Sequence, residues 1–181
     1  MGINIKSKIS IGLVTGLVIS LSTNAILSQP INAVSNRFFC GILNKEPVTF
    51  ARTARGNVPV IRWSSNTYFP PPWTAQRRCQ EVAKRFQRNY DNGTLRYINS
   101  GTLNGESVVC AAVRKDDACT DKTLLFTLKR GTDADATLQR LMDRRGLASG
   151  YILSETGPGA VNVERYLDEA PVEENVSPVS P

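Results

Sequence analysis

The sequence predicts an α+β domain: a small antiparallel sheet of about five strands, two helices packed on one face, and disulfides fastening the layers. Three observations carry this. One stretch, Thr74 to Tyr90, has the periodicity of an amphipathic helix, and short β-rich runs lie on both sides of it. Four cysteines, an even number, fall within the same region.

The first element is a targeting segment. Lys6 and Lys8 precede an apolar run from Ile9 to Leu21, and small-residue exits follow at Thr23-Asn24-Ala25 and Ile31-Asn32-Ala33. A charged n-region, an apolar h-region and a cleavage site make residues 1–33 a signal peptide. The alternative is an uncleaved anchor. A spanning helix needs roughly 20 apolar residues, and this run falls about a third short. Export across the inner membrane, into a periplasm or a thylakoid lumen, is therefore the expected address.

Residues 34–150 are read as one domain and 151–181 as an acidic, Pro-rich, mostly disordered tail. The domain holds 19 Lys/Arg against 10 Asp/Glu, whereas the tail holds one Arg against six acids. A basic domain favours anionic partners such as lipid headgroups, acidic proteins or polysaccharide.

Phe38–Cys40 and Val48–Thr53 are short strand candidates. Val58–Trp63 is a third, with Pro59 marking an edge or a strand start. Ser64 to Trp73 is a loop in which three prolines exclude helix and sheet ladder alike. The helix follows. Ala75, Cys79, Val82, Ala83, Phe86 and Tyr90 form its apolar stripe, Thr74 caps its start, and Asn92-Gly93 stops it. Asn104-Gly105 joins two β-rich runs, Leu95–Ser100 and Ser107–Val113, as a hairpin. Thr123–Leu128, the most apolar run of the domain, is expected as a central strand. Thr132 to Asp135 opens a second helix through a capping box, with Ala134, Leu138, Leu141 and Met142 on one face and an end near Gly146.

Cys40, Cys79, Cys110 and Cys119 allow three pairings. Strands flanking the loop of residues 114–117 would bring Cys110 near Cys119, leaving Cys40 to tie its strand to the helix at Cys79. These are the preferred pairs. A zinc site would need closer thiolates or His, and the chain has no His. The same lack excludes Ser-His-Asp, Cys-His and His-metal chemistry. There is no phosphate-binding glycine loop, and no cofactor is implied. Asn92-Gly93-Thr94 matches a glycosylation sequon, but the helix stop explains it.

Several of these pieces occur together in one known family. Phe39-Cys40, Pro47–Thr53, RGNVPVIRW at Arg55–Trp63, QRRCQEVAKRFQ at Gln76–Gln87, the Asn104-Gly105 turn with VVCAA after it, and LLFTL at residues 124–128 resemble the cyanobacterial circadian oscillating protein family. The resemblance spans roughly Phe38 to Gly146 and departs at Pro70-Pro71-Pro72, where that family usually has a Gly-containing stretch. It implies cycling abundance and peripheral membrane association, and it implies no activity.

The expected function is a non-catalytic, membrane-peripheral binding domain whose anchors are Arg62, Trp63, Trp73, Arg77, Arg78 and Arg85. Its partner would be a membrane surface or a membrane protein. Basic and aromatic side chains together also suit single-stranded nucleic acid, but export ranks that partner last. The alternatives are a carboxylate-based envelope hydrolase acting on cell-wall or carbohydrate material, and a structural component of an envelope complex. The sequence names no small-molecule ligand and sets no oligomeric state.

Overall fold

The computed structural model describes residues 35–64, 69–138 and 160–179, together with Gly2. The signal segment, most of the expected second helix and the turn-rich stretch at 150–159 lie outside the described residues. In chain order the elements are β1 (Arg37–Leu43), β2 (Glu46–Thr53), β3 (Gly56–Arg62), α1 (Ala75–Asp91), β4 (Tyr97–Leu103), β5 (Glu106–Ala112) and β6 (Leu124–Thr127). They continue with α2 (134–138 among the described residues), β7 (Val161–Asn162), α3 (Val163–Glu169) and β8 (Ser177–Pro178). The fold is α+β and disulfide-stapled.

The strands form two antiparallel sheets of four rather than a single sheet of five. Their orders are β3-β2-β1-β8 and β6-β5-β4-β7. Each half begins as a meander of three strands. The two meanders are separated by the Pro-rich loop and α1, so β3 and β4 are not neighbours. Thr123–Leu128, expected at the centre, is the edge of the second sheet. It is buried all the same: Leu125 has no exposed surface, because α1 lies against β6 as well as against β1 and β2.

Tight turns set the registers. Asn104 and Gly105, with φ of 53° and 78°, make the expected hairpin turn. Asn44 and Lys45 do the same for β1 and β2 at 52° and 67°. Lys is uncommon in that conformation, which hid this turn from a reading by residue type.

The helix is realised as its pattern requires. Thr74 Oγ1 accepts the Arg77 N–H at 3.2 Å, and Asn92 N–H reaches back to the Arg88 carbonyl. Ala75, Cys79, Val82, Ala83 and Phe86 are buried in the main core, with Phe38, Leu125 and Leu138 among their neighbours. Fully burying a side chain the size of Val or Phe contributes about 1.5–3 kcal/mol, so this stripe alone holds α1 in place. Cys40 bonds to Cys79 and Cys110 to Cys119, as preferred. The first bond clamps α1 to β1. The second ties β5 to the loop that follows it.

The acidic tail is a correction. Residues 160–179 do not trail away but wrap the domain. β7 pairs with β4, and β8 pairs with β1. Val163, Leu167 and Ala170 are buried in the main core, at spacings of four and three that fit one helix face. Arg55 Nη1 donates to the carbonyls of Leu167 and Ala170 at 2.9 and 3.1 Å, closing the end of α3. Polar composition around a few well-spaced apolar residues was enough to order the segment. α2 also opens one residue later than its capping box suggests, since Asp133 rather than Thr132 accepts the Ala136 N–H.

Candidate functional site

The six expected anchors separate into four environments. Trp63, at the end of β3, is only 6% exposed and belongs to the core. Its Nε1–H donates to Thr49 Oγ1 at 3.0 Å, and its ring meets the edge of Phe126 at 5.5 Å. Thr49 is itself fully buried, so the indole satisfies a hydroxyl that has no access to water.

Arg78 projects from the first turn of α1 between two rings. Its guanidinium carbon lies 5.1 Å from the Trp63 centroid and 5.1 Å from that of Phe69. Burial pushes its pKa down from the ordinary value, yet a guanidinium stays charged at any physiological pH. Trp63, Arg78 and Phe69 thus make an internal stack that fixes the Pro-rich loop to the helix start. Arg85 is structural too. Its Nη1 donates to the Leu125 carbonyl at 3.1 Å and joins α1 to β6. Arg62 pairs with Glu46 at 3.1 Å on the surface, where such a pair contributes little.

Trp73 and Arg77 remain outward. Trp73 is 38% exposed at the tip of a turn in which its own N–H bonds to the Pro70 carbonyl. The Pro71–Pro72 peptide is cis. The Arg77 guanidinium stacks over the Trp73 ring at 5.1 Å. Pro70, Pro71 and Pro72 are exposed beside it, and Lys84 and Arg88 continue along the solvent side of α1. Arg77, Lys84 and Arg88 recur at spacings of seven and four, which keeps them on one helix face. Lys84 is also within 3.1 Å of Glu81. The result is an aromatic, proline-flanked lip at one end of a basic stripe.

A second feature was not anticipated. An open cleft of about 650 Å³ lies beside the end of α1, where α3 and β7 meet β4. Tyr90, Arg96, Tyr97 and Lys115 line it together with Glu164 and Asp168. The two carboxylates come from the segment expected to be disordered, so no sequence signal placed them opposite the cations. The loop at the mouth is held by Asn99, whose Nδ2 donates to the carbonyls of Lys115 and Asp117 at 3.1 Å each. Asp117 Oδ2 accepts the N–H groups of Val113 and Arg114, and Oδ1 pairs with the Arg114 guanidinium at 2.8 Å. The Arg114 N–H and the adjacent guanidinium hold the Asp117 carboxyl below the usual carboxylate range. That is the reverse of what a general acid at neutral pH needs.

Geometry therefore defines a small disulfide-stapled α+β domain whose aromatic and basic side chains divide between internal stacking and one exposed lip. Residues 37–168 match the family model described as Circadian oscillating protein COP23, and the chain belongs to that family. The match covers both meanders, both disulfides, the cleft and most of α3, and it ends before the last strand. Searches of curated proteins and of solved structures found no match.

Proposed function

We propose that the chain is a non-catalytic, membrane-peripheral binding domain of an extracytoplasmic compartment. The observation that carries this is the exposed Trp73 with Arg77 stacked upon it, at the head of a stripe continued by Lys84 and Arg88. Tryptophan suits the headgroup level of a bilayer, where one side of the ring is apolar and the other wet. Cations near an anionic surface contribute about 1 kcal/mol each. Two disulfides suit an oxidising compartment, which agrees with the signal-like residues 1–33. No helix among the described residues is long and apolar enough to cross a membrane. Attachment by this lip would hold the domain on a surface without spanning it.

Co-sedimentation of the purified chain with vesicles tests the proposal. Binding is expected to vesicles containing phosphatidylglycerol, not to pure phosphatidylcholine, and to be released at high salt. Arg77→Glu together with Arg88→Glu should weaken it by about 1,000-fold, since each reversal removes an attraction and adds a repulsion. Trp73→Ala should weaken it further at every salt concentration. Equal binding by the wild type and the double reversal would overturn the lip as the anchor.

A further inference from the structure

The cleft beside α3 is ringed by polar side chains that the chain itself leaves unused. Arg96 and Lys115 reach it from the ends of β4 and β5, and Glu164 and Asp168 from α3. Among the described residues, none of these four side chains makes a hydrogen bond or an ion pair. The phenol hydroxyls of Tyr90 and Tyr97 are equally unbonded, although Tyr166, elsewhere on α3, donates to the Pro59 carbonyl at 2.8 Å.

Their immediate neighbours behave differently. Arg114 pairs with Asp117 at 2.8 Å, next to the open Lys115. Arg165 pairs with Glu169 at 3.3 Å on the adjoining face of α3. Glu164 and Asp168, by contrast, are like charges one turn apart, a spacing that weakens a helix slightly and is here offset by no cation of the chain. Charge is thus settled locally around the cleft and left open inside it.

The cleft measures about 650 Å³, within the range of about 300–1,000 Å³ typical of small-molecule sites. Both tyrosines are half-buried, and Tyr90 rests on Phe38 with centroids 5.8 Å apart, so each ring is fixed and only partly covered. Two cations and two carboxylates leave the open lining with no net charge. A ligand that satisfies it carries acceptors for Arg96 and Lys115, donors for Glu164 and Asp168, and an apolar face for the rings. Sugar hydroxyls both donate and accept, and the C–H face of a pyranose suits an aromatic ring. A free amino acid has the matching charges but fills only a fraction of the volume.

We propose that this cleft is a binding site for a neutral oligosaccharide. It is separate from the lip: α1, 17 residues long, has the lip at its start and the cleft at its end, roughly 25 Å apart. A domain attached through the lip would keep the cleft clear of the surface that holds it.

Chitotriose, cellotriose and maltotriose, titrated separately into the full chain and followed by saturation-transfer NMR, test the proposal. At least one should bind. Glu164→Gln with Asp168→Asn keeps the size of both side chains but turns charged acceptors into neutral amides, and should weaken binding by about tenfold or more. Tyr97→Leu should weaken it as well, through loss of the ring. Glu169→Gln, the same change on the same helix but outside the cleft, should leave the affinity as it is. Thermal midpoints show that the variants stay folded. Binding of none of the three sugars at about 10 mM would overturn the inference, as would equal affinity for wild type and the double variant. Binding of the dipeptide alanyl-alanine in preference to every sugar would overturn the ligand class and give the cleft to a zwitterion.

Discussion

Replacing Cys40 and Cys79 together by Ala removes the bond between β1 and α1 without leaving an unpaired thiol. The bridge closes a loop with a sequence separation of 39. In the chain-entropy account, opening a loop of that length frees the unfolded chain by about 4 kcal/mol. The Cys110–Cys119 bridge, with a separation of nine, is worth about 2.6 kcal/mol on the same scale. The difference between the two, about 1.3 kcal/mol, depends only on the logarithm of the loop lengths. Packing widens the gap. Cys79 and Cys110 are both fully buried, so either pair of substitutions leaves a void, but Cys40 is buried as well whereas Cys119 is only half-buried. Urea titration followed by tryptophan fluorescence and by helical circular dichroism measures both variants. A loss of about 4 kcal/mol should lower the thermal midpoint by roughly 8–16 °C for a domain of this size. The loop-length dependence fails if the Cys110→Ala, Cys119→Ala pair destabilises the domain as much as the Cys40→Ala, Cys79→Ala pair. It fails too if the latter costs less than about 1 kcal/mol.

Other substitutions report on the same framework. Trp63→Phe keeps the ring against Phe126 but removes the donor to the buried Thr49 Oγ1, which keeps only its long contact with Cys79 Sγ, and a loss of about 1–3 kcal/mol in urea unfolding is expected. Thr74→Ala removes the acceptor for the Arg77 N–H and should cost about 1 kcal/mol by the same assay. Asp117 has a depressed pKa in the folded chain, so its contribution is present above the ordinary carboxylate range of about 4 and is lost as pH falls further below that. Asp117→Asn should therefore flatten the acid limb of the stability curve, measured as thermal midpoint against pH, while leaving the neutral side less affected. An unchanged acid limb would remove the loop from any account of acid sensitivity.

Local signals in the sequence proved dependable where one physical requirement dominated. The stripe from Ala75 to Tyr90 admits no strand, and Asn104-Gly105 between β-rich runs admits little but a hairpin. The short charged loop between Cys110 and Cys119 brought those two together, which left Cys40 for Cys79. What depended on distant residues was not visible. Trp63 next to Arg62 looks like a surface pair until Thr49 and Phe126 are known to enclose the indole. Arg85 resembles any solvated cation on a helix until the Leu125 carbonyl is placed beside it. The division into two sheets reflects how α1 and the Pro-rich loop separate the meanders, which no strand pattern records. The tail misled because its charge outweighed its three well-spaced apolar positions, Val163, Leu167 and Ala170. With it went the acidic wall of the cleft.

The cap supplied by Arg55 to α3 links positions separated by 112 and 115 residues. A chain synthesised from its amino end delivers the β2–β3 hairpin long before the carbonyls that the guanidinium receives. Until then the hairpin tip is held in water by its own turn alone. A chain truncated before α3 should therefore be cut by proteases at residues 54–56 more readily than the full chain.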